Sequence, residues 1–202
     1  MVPDEPEVAG LHALILLGEA RRAARFDAQG RPLRLPEQDR ARWDMSKIDA
    51  ARALLKETLQ RAPPGPFTLE AAIAAVHCEA PRADATDWPQ IALLYELLES
   101  SRPGAHVRVN RAFAVARAQG PEAGLALLDE AAAAIEALPQ AYGHLVRATL
   151  LLELGRPAEA IASYDAALER ARNPSEAEEI ARSRTQAETM LTTRSGSSSL
   201  RK

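Results

Sequence analysis

Residues 141–168 read AYGHLVRATLLLELGRPAEAIASYDAAL, and residues 106–131 read HVRVNRAFAVARAQGPEAGLALLDEA. Each segment contains an apolar helical stretch, a break at a glycine followed closely by proline, and a second stretch rich in Ala and Leu. Proline near the first turn of a helix is well tolerated, because its missing N–H has no helical partner there. Both segments are therefore predicted to fold as helical hairpins.

The spacing of the two hairpins predicts how they are arranged. Their interhelix glycines, Gly120 and Gly155, lie 35 residues apart, close to the ~34-residue period of tetratricopeptide repeats. Such units bury their faces only by stacking on neighbours, and the stack leaves a concave surface for a partner. The predicted fold class is all-α, with helical hairpins stacked as a tetratricopeptide-like superhelix preceded by an N-terminal helical subdomain.

Proline and glycine divide the chain into three predicted parts. The stretch APPGPF at residues 62–67 cannot continue a helix and marks the main boundary. An N-terminal helical subdomain is predicted over residues 1–62, and the helical repeats over residues 67–190. Residues 191–202, TTRSGSSSLRK with the preceding Leu, are predicted to be a disordered tail.

Composition narrows the range of possible functions. The net charge is −3, and the arginines are interspersed with acids, so we expect no direct nucleic-acid binding. The single cysteine, Cys78, excludes an intrachain disulfide and fits a reducing compartment. The sequence contains no run of ~18 apolar residues, so we expect no membrane span. The acidic N-terminus argues against a signal peptide. We expect a soluble cytoplasmic protein.

The sequence contains no recognisable catalytic motif, and we expect no enzyme activity, cofactor or metal. His77, Cys78 and Glu79 are consecutive, but consecutive helical side chains point about 100° apart and do not converge on one ion. The glycine-containing turn after Gln119 lacks the preceding strand and the spacing of a phosphate-binding loop. Binding to another protein is the more plausible role.

Candidate contact residues fall at three places. The charged segment 39–44 could clamp the N-terminal helices to the repeats, because arginine pairs with carboxylates and stacks on tryptophan. We favour this clamp over a partner surface. Asp87 is placed to cap the helix that begins at Trp88, and Asn110 and Arg111 are residue types that hold a partner's backbone or carboxylate, although an intramolecular hydrogen bond is the simpler expectation. The full candidate set for partner binding is Arg40, Arg42, Trp43, His77, Trp88, Asn110, Arg111 and Arg147.

The order of four short motifs carries a family likeness. RWD at 42–44, AAIAAVH at 71–77, TDWPQI at 86–91 and NRA at 110–112 occur within residues 3–172. This succession resembles the C-terminal extension of bacterial extracytoplasmic-function RNA polymerase sigma factors, which includes tetratricopeptide-like repeats. The resemblance implies a role in transcription initiation, with the sigma regions or core RNA polymerase as partners. The promoter-binding regions are not recognisable here, so we expect a fragment of a longer protein or an extension encoded alone.

Three hypotheses remain open at this point. The first is a regulatory extension that docks on sigma regions, in place of a separate anti-sigma protein. The second is a repeat scaffold whose groove, lined by Asn110, Arg111 and Arg147, captures an acidic or C-terminal segment. The third is a small-molecule sensor or enzyme with a pocket lined by His77, Trp88 and Arg111.

Overall fold

The computed structural model describes residues 5–199, with side chains described up to residue 192. Within that range it contains α-helices joined by turns and short 3-10 segments, and no named strand. The predicted all-α class and the helical hairpins are confirmed. The chain divides into two compact units, Met1–Pro103 and Gly104–Lys202, which are described separately.

The described part of the first unit, from residue 5 onward, contains four α-helices: α1 (Pro6–Ala20), α2 (Met45–Arg61), α3 (Pro66–Glu79) and α4 (Trp88–Ser101). Helix α1 packs against both α2 and α3, and α3 packs against α4. Leu17 of α1 and Ile48 of α2 are almost completely buried in the core between these helices, together with the indole of Trp43. Burial of these apolar side chains stabilises the arrangement.

Glu7 in the first turn of α1 fixes the position of α3. Its carboxylate accepts hydrogen bonds from the backbone N–H groups of Phe67 (2.8 Å) and Thr68 (3.2 Å) and from the Thr68 hydroxyl (2.7 Å). These N–H groups belong to the first turn of α3, where they have no helical partner. Burial raises the pKa of Glu7, but the hydrogen bonds from Thr68 and Phe67 outweigh that effect and lower it.

The boundary between the two units differs from the predicted one. Prolines 63, 64 and 66 do end α2 and begin α3, but the division of the chain falls after Pro103. The reason is that α1 packs as closely on α3 as on α2. Helices α3 and α4, which the sequence pattern assigns to the repeats, therefore join the N-terminal helices. Residues 1–4 of the predicted subdomain lie outside the described residues.

The second unit begins with two hairpins. Helix α5 (Ala105–Gln119) pairs with α6 (Pro121–Glu130), and α8 (Tyr142–Glu153) pairs with α9 (Pro157–Leu168). The short α7 (Ala132–Glu136) follows α6, and α8 packs against both α5 and α6, so the hairpins are stacked. Gly120 and Gly155 adopt φ values of 109° and 66°, which L-residues with side chains rarely adopt.

The last helix, α10 (Pro174–Ser199), packs against α9 and covers the end of the second unit. Ile180 and Ala187 are buried against it, and Arg184 donates a hydrogen bond to Asp165 of α9. Residues 191–199 belong to this helix, whereas the sequence pattern places them in a disordered tail. The apolar packing of α10 upstream of Met190 gives the helix an anchor from which it continues. Residues 200–202 lie outside the described part of the chain.

Gly124→Ala is expected to destabilise the second unit. A Cβ at position 124 would lie 2.5 Å from the Ala112 carbonyl oxygen and 2.5 Å from the Ala116 Cβ, so α5 and α6 would have to separate. Overpacking of this kind costs ~1–3 kcal/mol. Urea unfolding followed by circular dichroism measures the change.

Gly104→Ser provides the matched control for that substitution. Nothing lies within 4 Å of a Cβ at position 104, and the residue precedes α5 at its N-cap, where serine is favourable. The free energy of unfolding should change by no more than ~0.5 kcal/mol. Equal stability of the Gly124→Ala and Gly104→Ser proteins would contradict the close approach of α5 and α6.

Candidate functional site

Arg40 joins the segment before α2 to the end of α3. One guanidinium nitrogen, Nη1, donates hydrogen bonds to the carbonyl oxygens of His77 and Ala80, both at 2.8 Å. The guanidinium carbon lies 4.4 Å from the centre of the Trp43 ring, and that indole is only 6% exposed. Arg40 therefore makes the intramolecular contacts that an internal clamp requires, with the cation at the negative end of a helix.

The remaining residues of segment 39–44 stabilise short local turns. The Asp39 carboxylate accepts from the Ala41 N–H at 3.0 Å, and the Asp44 carboxylate caps α2 by accepting from the Lys47 N–H at 3.2 Å. The Asp44 N–H donates to the Ala20 carbonyl at 2.9 Å, which ties α2 to the end of α1. Arg42 is exposed. Of the two candidate arginines in this segment, only Arg40 is inside the clamp.

His77 and Trp88 lie against each other, with ring centroids 5.3 Å apart in an edge-to-face arrangement. Asp87 caps α4, as predicted, by accepting from the Gln90 N–H at 3.0 Å. Burial lowers the pKa of His77 to about 4, and the positive charges of Arg21 and Arg40 contribute to the shift. The imidazole is therefore neutral at neutral pH and packs as an aromatic ring.

Two half-buried guanidinium groups make this end of the first unit electropositive. Burial lowers the pKa of Arg21 and that of Arg40. Burial raises the pKa of the Cys78 thiol, and the charges of these arginines oppose the increase only in part. Cys78 is thus a protonated core residue. Sequence reasoning missed Arg21, although it lies just after α1, where a cation interacts favourably with the negative end of the helix dipole.

The three candidates in the second unit lie on α5 and α8. The Tyr142 hydroxyl donates to the Asn110 side-chain oxygen at 2.8 Å, which is the intramolecular bond expected for that asparagine. Arg147 on α8 pairs with Asp129 on α6. Arg111 is half-buried on α5. A partner that used Asn110 or Arg147 would have to compete with these bonds.

A groove of about 300 Å³ lies between α7, α8 and α9. Of the candidate residues predicted from the sequence, only Arg147 lines it. His144, 4% exposed, faces this groove, and its Nε2 has no hydrogen-bond partner. A histidine in an apolar helical stretch gives no sequence signal for such a position. The residues that line the groove are Glu136, His144, Arg147, Leu151, Glu159, Ala162, Ser163 and Ala166.

Helix α1 exposes an apolar stripe on the side that faces away from α2 and α3. Val8 is 51% exposed, Leu11 37% and Ile15 54%, and their spacing places them along one side of the helix. Surface leucines and valines scattered singly are ordinary, but aligned ones mark contact surfaces. We call these three residues the α1 stripe.

Residues 5–199 contain neither a metal-binding cluster nor a membrane-spanning helix. No group of three or more His, Cys, Asp or Glu side chains there is arranged to hold a metal ion. No helix in that range combines the length and apolarity that crossing a membrane would need.

Arg40→Ala should destabilise the protein, because the carbonyls of His77 and Ala80 lose a charged donor and Trp43 loses its stacked cation. Hydrogen bonds to charged groups contribute ~1.5–3 kcal/mol, and a loss in that range is expected in urea unfolding at neutral pH. Arg42→Ala, at an exposed position two residues away, should change the free energy of unfolding by less than ~0.5 kcal/mol. Equal effects of the two substitutions would exclude the clamp.

The pKa of His77 predicts a pH dependence of stability. Because the folded-state pKa is about 4 and the ordinary value is 6.5, the unfolded chain takes up a proton first as the pH falls. The contribution of the neutral His77 to the free energy of unfolding is therefore fully present above pH 6.5 and decreases as the pH falls from 6.5 to 4. Proton NMR of the imidazole measures the pKa directly, and titration near the ordinary value would contradict the buried position.

Comparison with known proteins gives partial matches. Residues 1–59 match a protein family described as a family of unknown function (DUF6596). An uncharacterized protein of Rhizobium meliloti (strain 1021) is 42% identical over 177 residues, which are 88% of this chain and 41% of that protein. No solved structure matches the chain. This chain thus spans less than half the length of the curated relative that it matches. Helix α1, segment 39–44 and most of α2 lie within the matched family region.

Proposed function

We propose that this chain is a non-catalytic regulatory domain of an RNA polymerase sigma factor, acting in transcription initiation through contacts with the sigma regions or core polymerase. The family that matches residues 1–59 is a domain found in sigma-factor C-terminal regions. The relative extends well beyond the part that this chain matches, which leaves room for further regions in the same polypeptide. The proposed place of action is the bacterial cytoplasm.

The α1 stripe is the observation that carries this proposal. A largely apolar helix is normally buried, yet α1 exposes Val8, Leu11 and Ile15, beside the exposed polar residues His12 and Glu19. Fully burying one such side chain contributes ~1.5–3 kcal/mol relative to exposure. A partner helix that covered the stripe would gain a large part of that free energy, so the stripe suits an apolar surface on the sigma regions.

The stripe lies on a helix that is firmly held. Glu7 joins α1 to the first turn of α3, and the Ala20 carbonyl at its other end accepts from Asp44. A preorganised surface loses little conformational entropy on binding. Docking at α1 therefore requires no rearrangement of the first unit.

A stand-alone repeat scaffold is the second candidate function. The stacked hairpins of the second unit favour it, because such stacks form binding surfaces. A partner that reached Asn110 would compete with Tyr142, and one that reached Arg147 would compete with Asp129. A small-molecule sensor has less support, since His77 and Trp88 already pack on each other.

Ile15→Glu should weaken binding to the proposed partner by about tenfold or more, because it places an unpaired charge in the apolar contact. Biolayer interferometry with residues 1–202 measures binding to purified core RNA polymerase. A second series uses the part of the Rhizobium meliloti relative that this chain does not match. Leu59→Glu is the matched control, at a leucine of α2 that is 48% exposed outside the stripe.

The two variants separate the possible outcomes. Loss of binding with Ile15→Glu and retention with Leu59→Glu supports the α1 stripe as the docking surface. Absence of binding to both partners, or equal binding by both variants, would contradict the proposal. Thermal unfolding of each variant excludes a general loss of fold.

A further inference from the structure

The groove between α7, α8 and α9 contains a buried polar atom that the protein itself does not satisfy. His144 Nε2 has no hydrogen-bond partner, and Glu136 Oε1 is 3.8 Å away. That distance is too long for a hydrogen bond. Burial of an unpaired polar group costs free energy, so such groups commonly mark a missing partner.

We propose that this groove binds the ammonium end of an aliphatic amine, with Glu136, His144 and Glu159 as its hydrogen-bond acceptors. The chemistry is that of an alkylammonium group, carried either by a small free amine or by a lysine side chain of another protein. The inference concerns the second unit alone. It does not depend on the proposed role of the α1 stripe.

Among the residues that line the groove, carboxylates outnumber cations. Glu136 and Glu159 contribute two carboxylates, whereas Arg147 is the single cation among the lining residues and already pairs with Asp129. Burial lowers the pKa of His144, against the smaller opposing effect of Glu136, so its ring is neutral at neutral pH. A neutral imidazole can accept a hydrogen bond at Nε2.

Both carboxylates are held in place by hydrogen bonds from arginines. Arg170 donates to Glu136 at 2.7 Å, and Arg156 donates to Glu159 at 2.6 Å and 2.5 Å. Each carboxylate oxygen has more than one acceptor position, so these bonds leave capacity for a ligand. An ammonium group has three donors and no acceptor, which matches this set of acceptors.

Apolar side chains complete the groove. Leu151 of α8 and the alanines at 162 and 166 of α9 line it beside the acceptors. Small residues leave space for a methylene chain, and lysine-like stems commonly lie along such apolar surfaces. The groove therefore accommodates a short aliphatic chain that ends in a charge.

The test uses the full chain of residues 1–202 and three probes of similar length. NMR titration of the His144 imidazole, with calorimetry, compares pentylamine, pentanol and an N-acetyl-lysine amide. Saturable binding of pentylamine, about tenfold tighter than pentanol, is expected because only the amine carries the charge. Comparable or tighter binding of the lysine amide assigns the groove to a protein side chain, and preference for pentylamine assigns it to a free amine.

Glu136→Gln and Glu159→Gln should each weaken pentylamine binding by about fivefold or more, since each removes one negative charge from the groove. Glu130→Gln, at an exposed position outside the groove, is the matched control and should leave binding unchanged. The altered carboxylates are largely exposed, so the fold should persist in both variants. Absence of saturable binding, equal binding of pentanol, or equal affinity of all three variants would overturn the proposal.

Discussion

The close approach of α1 to α3 is the contact on which the first unit depends. A Cβ at Gly10 would lie 2.4 Å from the Thr68 hydroxyl oxygen and 2.7 Å from its backbone nitrogen, so only glycine allows the two helices to come this near. Glu7 uses that proximity to cap α3. Because one side of α1 is committed to α2 and α3, the opposite side, with Leu11 and Ile15, is left exposed. The packing that builds the unit thus also produces the proposed docking surface.

The other end of α3 is held by charge. The cost of partly burying the Arg40 guanidinium is offset because it donates hydrogen bonds to carbonyls at the end of α3 and stacks on Trp43. Burial is the main reason that the half-buried His77 is neutral, and the positive charges of Arg21 and Arg40 add to this effect. Burial also leaves Cys78 protonated, although the two arginines oppose that shift. The residue types at this place look reactive in a sequence, but their environment serves packing. This distinction separates the clamp from the groove at His144, where a buried imidazole has no partner.

Local sequence signals predicted the helices well and their packing less well. Pro66, Pro121 and Pro157 begin helices, and the turns at Gly120 and Gly155 fall between paired helices, because both residue types restrict the backbone locally. Ala148, Ala160 and Ala167 are completely buried in one core cluster of the second unit. The division of the chain after Pro103 has no local signal, since the contact of Gly10 with Thr68 is long-range.

For the candidate sites too, local sequence signals predicted contacts between neighbours in sequence but not contacts between distant residues. Arg40 and Asp87 could be predicted because stacking on tryptophan and helix capping involve neighbours in sequence. The groove at His144 could not, because its acceptors come from three different helices. The exposed side of α1 was also hidden, since the apolar residues on all its sides look alike in a sequence and only packing distinguishes Leu17 from Ile15.

Hydrogen–deuterium exchange tests most directly whether α1 is a docking helix. Exchange is measured on residues 1–202 alone and after mixing with purified core RNA polymerase or with the unmatched part of the Rhizobium meliloti relative. The proposed function predicts that binding slows exchange in α1, while exchange in α9 and α10 is unchanged. Unchanged exchange in α1 in the presence of both partners, or protection confined to the second unit, would contradict it.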